Sequence, residues 1–213
     1  MYMADAAGTS EKVRVYFDYL CPFAWRGAEV TQQVAQALGL EFEWRHFSLY
    51  QNNYKGETPW QLWNDSVDLE DESGSKGLLP FLASCAARRQ GRESFNAFRL
   101  ATMRSRHVEG TALNLATLKD IAKTVKLDVE SFEEELNNPE CRTVLAKEHH
   151  EALNLDVFGT PTFQFENGHL AYFRLAQLPQ NQDEAIRLFA SYKELLETYP
   201  YLETIKRPRP QRN

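Results

Sequence analysis

The chain is poor in cysteine, with three in 213 residues, at positions 21, 85 and 141. An odd, widely spaced set argues against a disulfide framework and for a reducing compartment, so the expected location is the cytoplasm. Long apolar runs are also missing. No window approaches the ~18 apolar residues of a membrane helix. Residues Met1 to Lys12 lack the basic start and apolar stretch of a signal peptide. Basic charge is in deficit: 24 Lys and Arg face 30 Asp and Glu, for a net charge of −6, which excludes a general polyanion binder. The one basic cluster, Lys206-Arg-Pro-Arg-Pro-Gln-Arg212, reads as a solvated tail. Neither nucleic acid nor a membrane is therefore an expected partner. A Gly-rich phosphate loop, a Ser-His-Asp order and paired metal carboxylates are likewise missing, and no metal site is expected.

What is present is enough apolar material for a core, 43% of residues. At ~100–200 residues per domain, that means one large domain or two small ones. Val13 to Phe17 reads as a strand. Pro22 to about Leu38 reads as a helix with Gly39 just past its end. Phe42, Trp44 and His46 alternate with Glu41, Glu43 and Arg45, a strand over residues 40–49. The first fifty residues thus form a β-α-β unit with a parallel pair. Residues 51–56 read as a loop, Pro59 to Trp63 as a short helix, and 65–77 as an exposed acidic loop. Helices are expected at 78–90, 93–108, 117–125, 129–137 (capped by Asp128) and 139–153. Strand character returns at Thr162–Phe165 and His169–Phe173, around an Asn167-Gly168 two-residue hairpin turn. A helix over 182–198 closes the pattern.

The stretch with chemistry in it is Tyr16-Phe-Asp-Tyr-Leu-Cys21-Pro22-Phe23-Ala24-Trp25-Arg26-Gly27. Cys21 falls at a helix start, and Pro22 suits the first turn because its missing N–H would be an orphan there. Free backbone donors and the positive dipole end favour a thiolate, and such a site can bring a cysteine from about 8.5 to roughly 3.5–7.5. Phe23 and Trp25 flank the sulfur, and Arg26 is placed to meet an anionic thiol. Asp18 reads as a turn cap.

Three stretches carry a family resemblance. They are Phe17 to Trp25, the run Lys147-Glu-His-His-Glu-Ala152 leading to Phe158-Gly-Thr-Pro-Thr-Phe163, and the final Tyr199 to Lys206. A Cys-Pro-x-x turn before the first helix and Gly-Thr-Pro before a later hairpin resemble the thioredoxin superfamily. The helical block between β-α-β and β-β-α is similar to its DsbA-like branch, and within that to the FrnE-like subgroup. Related to that subgroup are mycothiol-dependent nitroreductases, 2-hydroxychromene-2-carboxylate isomerases and kappa-class glutathione transferases. The resemblance implies an α/β thioredoxin-like domain from residues 11–50 and 156–200, with 51–155 inserted as an all-helical domain.

It also implies roles. Cys21 is the nucleophile. Pro161 is the superfamily's cis-proline beside the sulfur, and Thr160 presents its backbone to substrate. Pro22, Phe23 and Trp25 line the site. His150 of the His149-His150 pair faces it, as in the related nitroreductases. His46 reads as a core histidine, and His107 as a lone one. The family's oxidoreductases carry a second cysteine where this chain has Ala24, so a dithiol cycle cannot close there. Three uses of one cysteine follow. It can exchange as a monothiol with glutathione, mycothiol or bacillithiol as cosubstrate, or with Cys85 or Cys141 swinging in to resolve. It can activate a bound thiol for isomerisation or transfer. Or it can sit unused in a binding module. Cys85 reads as a buried small hydrophobe and Cys141 as inert at a helix start. The expected partner is a small thiol or disulfide, with no permanently bound cofactor; a homodimer stays open.

Overall fold

The computed structural model describes residues 10–67 and 75–207. Most of the expected acidic loop, and the end of the basic tail, lie outside the described residues. Strand β1 (Glu11–Phe17) leads to α1 (Pro22–Val34) and β2 (Leu40–His46). The two strands pair in parallel, with Val15 opposite Trp44 and Phe17 opposite His46. Helix α1 stops four residues before the expected Leu38. The chain then passes through Gly39 at φ +63, a left-handed conformation that glycine adopts without a Cβ penalty.

A short helix, α2 (Leu49–Asn52), occupies the start of the expected loop; the Ser48 side chain caps it by accepting from Gln51 N–H at 3.1 Å. Only Leu62–Asn64 winds, as a single 3-10 turn, where a helix from Pro59 was expected. Helices α3 (Leu78–Arg89), α4 (Arg92–His107), α5 (Leu115–Thr124), α6 (Val129–Leu136) and α7 (Pro139–Leu153) follow. Asp128 caps α6 as expected, accepting from Ser131 N–H at 3.0 Å. On α4, Arg99 falls in the apolar stripe with Phe95 and Phe98 and is wholly buried, its guanidinium 3.6 Å from the Trp44 ring centre.

The chain returns to the sheet as β3 (Thr162–Gln164), β4 (Leu170–Tyr172) and α8 (Gln182–Thr198). The strand order is β2-β1-β3-β4, with β3 antiparallel to both neighbours. The hairpin loop is one residue longer than Asn-Gly alone predicts. Phe165 N–H pairs with His169 O at 2.9 Å, and Gly168, at φ +86, is the third loop residue. A turn closed by Gly168 N–H to Phe165 O and followed by a left-handed glycine is the common three-residue solution.

Val13, Val15, Phe17, Phe42 and Trp44 share one sheet face and are buried beneath the helices, Phe42 against Phe189 of α8 and Phe17 against Phe81 of α3. The other face carries Arg14, Glu43 and Arg45, and there Tyr16 packs with Ala152 and Val157 at the end of α7. Among the described residues, no helix is long and apolar enough to cross a membrane.

One expectation is overturned. Cys85 of α3 and Cys141 of α7 form a disulfide, with Cα atoms 5.5 Å apart. The two lie 56 residues apart in sequence, and spacing alone does not show that α3 packs against α7. Neither is an inert free thiol, neither is free to resolve Cys21, and the cysteine-based ground for a reducing compartment goes with them.

Candidate functional site: the Cys21 cleft

The turn between β1 and α1 is closed by Cys21 N–H to Asp18 O at 3.2 Å. Asp18 is buried and holds two segments together. Its Oδ1 accepts from Leu20 N–H at 2.8 Å and its Oδ2 from Leu49 N–H at 2.7 Å. The capping role read from sequence is thus half of what it does; the other half ties the Cys21 turn to α2. Burial raises the Asp18 carboxyl to about 6, against the pull of those two N–H groups.

Cys21 is the N-cap of α1, at φ −91 and ψ 114, with Pro22 in the first turn. It is 5% exposed and donates to Thr160 O at 3.3 Å. Burial pushes the thiol above its ordinary range, and the Asp18 carboxylate adds to the push. Opposing them are the Thr160 hydroxyl and the backbone N–H groups of Ala24 and Phe23. The helix start therefore acts in the expected direction but is outweighed by desolvation, and the low thiol pKa read from sequence is corrected: the resting state is the protonated thiol. Thr160 Oγ1 is buried without a partner at rest and is the hydroxyl that can donate to the sulfur when it ionises, while the Thr160 carbonyl accepts the hydrogen bond of the resting thiol.

The Thr160–Pro161 bond is cis. The close approach of this segment depends on Gly27, one turn beyond the N-terminus of α1. A Cβ there would lie 2.8 Å from Pro161 Cγ. Above the sulfur is a cleft of about 350 Å³, lined by Leu20, Cys21, Pro22, Phe23, Leu49, Phe158, Gly159, Thr160 and Tyr172. Its walls are mostly apolar, and Phe158 is 69% exposed at its edge. An apolar body joined to a sulfur would fit here, with backbone groups rather than charges to hold it.

Of the residues expected around the sulfur, Pro22, Phe23 and Thr160 line the cleft, and Pro161 packs beneath it against Gly27. Trp25 does not line it. Its ring stacks on His107, and its Nε1–H donates to Glu29 Oε1 at 3.0 Å. Position 25 lies one turn past the cap on nearly the same helix face, so it is the contacts with His107 of α4 and Glu29, not the helical phase, that draw the ring away from the cleft. Arg26 donates to Leu175 O at 3.1 Å and lies over the Phe23 and Trp25 rings. His150 lines a different cavity, about 670 Å³, with Trp60, Trp63 and His149. Helix α2 borders both, with Leu49 lining the Cys21 cleft and Asn52 the other cavity. His149 is buried, its Nδ1 accepts from Ser48 N–H at 3.2 Å, and burial lowers it to about 4. His46 is a buried core residue, its Nε2 2.8 Å from Ser84 Oγ.

Sequence reasoning missed Leu20, Leu49, Phe158 and Tyr172. Phe158 had a signal, standing one residue before Gly-Thr-Pro; Leu49 and Tyr172 had none, because α2 and β4 reach the cleft only through tertiary packing.

The DsbA-like thioredoxin domain model matches residues 12–184. The chain belongs to this family. Its fold is the DsbA-like thioredoxin fold, a mixed four-stranded sheet with a helical insertion. Solved structures agree on the fold. A thioredoxin-like oxidoreductase from Silicibacter pomeroyi DSS-3 is 23% identical with a TM-score of 0.57, over 88% of this chain and 87% of that one. The cytosolic disulfide reductase DsbM from Pseudomonas aeruginosa is 17% identical with a TM-score of 0.59, over 86% and 99%. A 2-hydroxychromene-2-carboxylate isomerase is 17% identical with a TM-score of 0.58, over 91% and 100%. No curated protein matches the chain by sequence.

Proposed function

We propose that this DsbA-like protein is a monothiol exchange enzyme in which Cys21 works with a low-molecular-weight thiol such as glutathione, mycothiol or bacillithiol. The observation that carries the reading is the state of the sulfurs. Cys85 and Cys141 are bonded to each other, Ala24 stands in the resolving position, and Cys21 is the free cysteine. Cys21, resting as a thiol, gives up its proton to solvent and attacks one sulfur of a disulfide; a mixed disulfide forms, and the other half leaves as a thiolate that takes up a proton. A second thiolate then attacks the mixed disulfide and releases Cys21, so two electrons pass and no second protein cysteine is needed. The apolar cleft supplies the binding surface and Thr160 the edge along which a substrate can lie. Among the structural neighbours, the name of DsbM as a cytosolic disulfide reductase agrees with this chemistry and with a cytoplasmic location, and the FrnE-like assignment rests on the resemblance in sequence.

A second reading rests on one observation. Cys21 is held as a thiol that donates to Thr160 O. A donor of this kind can turn toward a bound thiolate and hold it for isomerisation or transfer.

Intact-mass measurement after incubation with each oxidised small thiol separates the two. Monothiol exchange predicts one adduct on the wild type, none on Cys21→Ser, and loss of disulfide-exchange turnover by roughly three orders of magnitude or more in that variant, the scale on which loss of a nucleophile is felt. A wild type that takes up no adduct, while Cys21→Ser keeps thiol-dependent turnover, overturns it in favour of the donor reading.

A further inference from the structure

Cys85 does more than brace α3 against α7. It lines a cleft of about 670 Å³ between those helices and the polar face of β1 and β2, well apart from the Cys21 cleft and sharing no residue with it. Cys141, 1% exposed, does not line it. Cys85, itself 5% exposed, is therefore the half of the disulfide that borders the cleft.

The charge around that sulfur runs against the sign of the molecule. The chain carries a net charge of −6. The cleft is lined by Arg14, Arg45, Arg88, Arg89 and Lys147 against three carboxylates. One of these, Glu148, is buried and already engaged, by Arg88 at 2.6 Å, Arg45 at 3.2 Å and His46 N–H at 2.8 Å. Arg14 and Lys147 are the loosely held pair. Their side chains are 51% and 74% exposed, and their nearest carboxylates are 3.8 and 3.9 Å away. Two long cationic side chains with weak local partners can turn onto an incoming carboxylate.

We infer that Cys85–Cys141 is a reversible redox site, served from this cleft by a small thiol that carries carboxylates, the glutathione class. The incoming thiolate attacks Cys85 Sγ in line with the S–S bond. A bond forms between the two sulfurs, the Cys85–Cys141 bond breaks, and its electron pair leaves on Cys141 Sγ, which takes a proton from solvent. A second small thiolate attacks its own kind in the mixed disulfide, releasing Cys85 as a thiolate. Two small thiols become one disulfide and the protein disulfide becomes two thiols; the oxidised small disulfide drives the reverse. Cys141 is the sulfur set back from the cleft, in the first turn of α7, and it lies 3.7 Å from Glu135 O, an acceptor in place for the thiol once it is protonated. The site is independent of Cys21.

The test uses the full chain carrying Cys21→Ser, so that Cys85–Cys141 is the sole sulfur site. Its reduction is followed by alkylation and mass measurement, with glutathione compared with uncharged mercaptoethanol at matched thiolate concentration. Glutathione is expected to react about tenfold faster or more at low salt, through electrostatic capture. That advantage is expected to shrink in ~0.5 M salt and to vanish in an Arg14→Glu, Lys147→Glu double variant. The trapped adduct is expected on Cys85. Equal rates for the two thiols, an advantage that survives both salt and the double variant, an adduct on Cys141, or a disulfide that reacts only once the chain unfolds would each overturn the inference.

Discussion

The molecule holds its sulfurs in two clefts of opposite character. Cys21 sits alone under apolar walls, protonated, its S–H donating to a backbone carbonyl. Cys85 sits paired, in the wall of a cleft lined by five cations and three carboxylates. The apolar cleft selects by shape and disfavours a thiolate at rest, so its chemistry waits for a substrate to bring its own charge or donors. The cationic one favours an anionic reagent before any bond is made. A family resemblance speaks only to the first. The second is particular to where this chain puts two cysteines and five cations.

The sharpest way to break the comparison is to remove one sulfur site and ask whether the other notices. Replacing Cys85 and Cys141 together by Ser opens a loop of 56 residues in the unfolded chain. On the chain-entropy account this lowers stability by about 4 kcal/mol, read as a lower denaturant midpoint. Mixed-disulfide formation at Cys21 is expected to stay within about twofold of wild type under conditions where the variant is folded, because changes at sites with no shared partners usually add. Loss of Cys21 exchange in the folded double variant would show that the two clefts are one machine.

A second comparison sets Asp18 beside the Cys21 cleft against His149 on α7. Both are buried, and their pH effects oppose. Asp18 is raised from 3.8 to about 6, so the native state holds its proton more tightly than the unfolded chain; stability is full below pH ~4 and falls as pH rises to ~6. His149 is lowered from 6.5 to about 4, so its stabilising neutral form is complete above pH ~6.5 and is lost as pH falls toward ~4. At 1.36 kcal/mol per unit, each amounts to something on the order of 3 kcal/mol. Between pH 4 and 6 they nearly cancel. Asp18→Asn is expected to remove the fall and expose the rise. Denaturation midpoints across pH 4–7 would show a rising slope in the variant and a flatter one in the wild type. Equal slopes would mean that Asp18 is not the buried, proton-hungry group described.

How much of this was legible beforehand follows the range of the interactions. The helices α3 to α8, the β-α-β start and the order of the halves show in periodicity, caps and turn residues, which are local. Cys21, Pro22, Phe23, Thr160 and Pro161 meet because two motifs far apart in sequence mark the same place. Trp25 is put at the sulfur by its place in the motif and His150 by the resemblance to the nitroreductases, yet the Trp25 ring packs on His107 of α4 and His150 lines a separate cavity. The thiol's protonation was misjudged for a related reason. The helix start is visible in sequence, but the burial that outweighs it is tertiary, in a cleft completed by residues such as Leu49 and Tyr172 from distant elements. The disulfide was invisible because it depends on how α3 meets α7.

The smallest effect tests the Cys21 side alone. Gly27 is helical, so its value is not in backbone freedom but in the Cβ it lacks. An added Cβ would stand 2.8 Å from Pro161 Cγ and 3.3 Å from Pro161 Cβ. A pyrrolidine ring cannot swing aside like the end of a lysine, so α1 and the Thr160–Pro161 segment must separate. Alanine has the better helix propensity by about 0.8–1 kcal/mol, which offsets part of the cost. Overpacking of this kind costs typically ~1–3 kcal/mol, so the net loss expected for Gly27→Ala is about 0–2 kcal/mol. Separation also lengthens the 3.3 Å contact between Cys21 Sγ and Thr160 O and admits solvent to the sulfur. Alkylation of Cys21 at pH 8 is therefore expected to quicken in Gly27→Ala, while reduction of Cys85–Cys141 by glutathione keeps its rate. A variant with unchanged Cys21 alkylation would mean that the close packing of α1 on Pro161 does not control access to the sulfur.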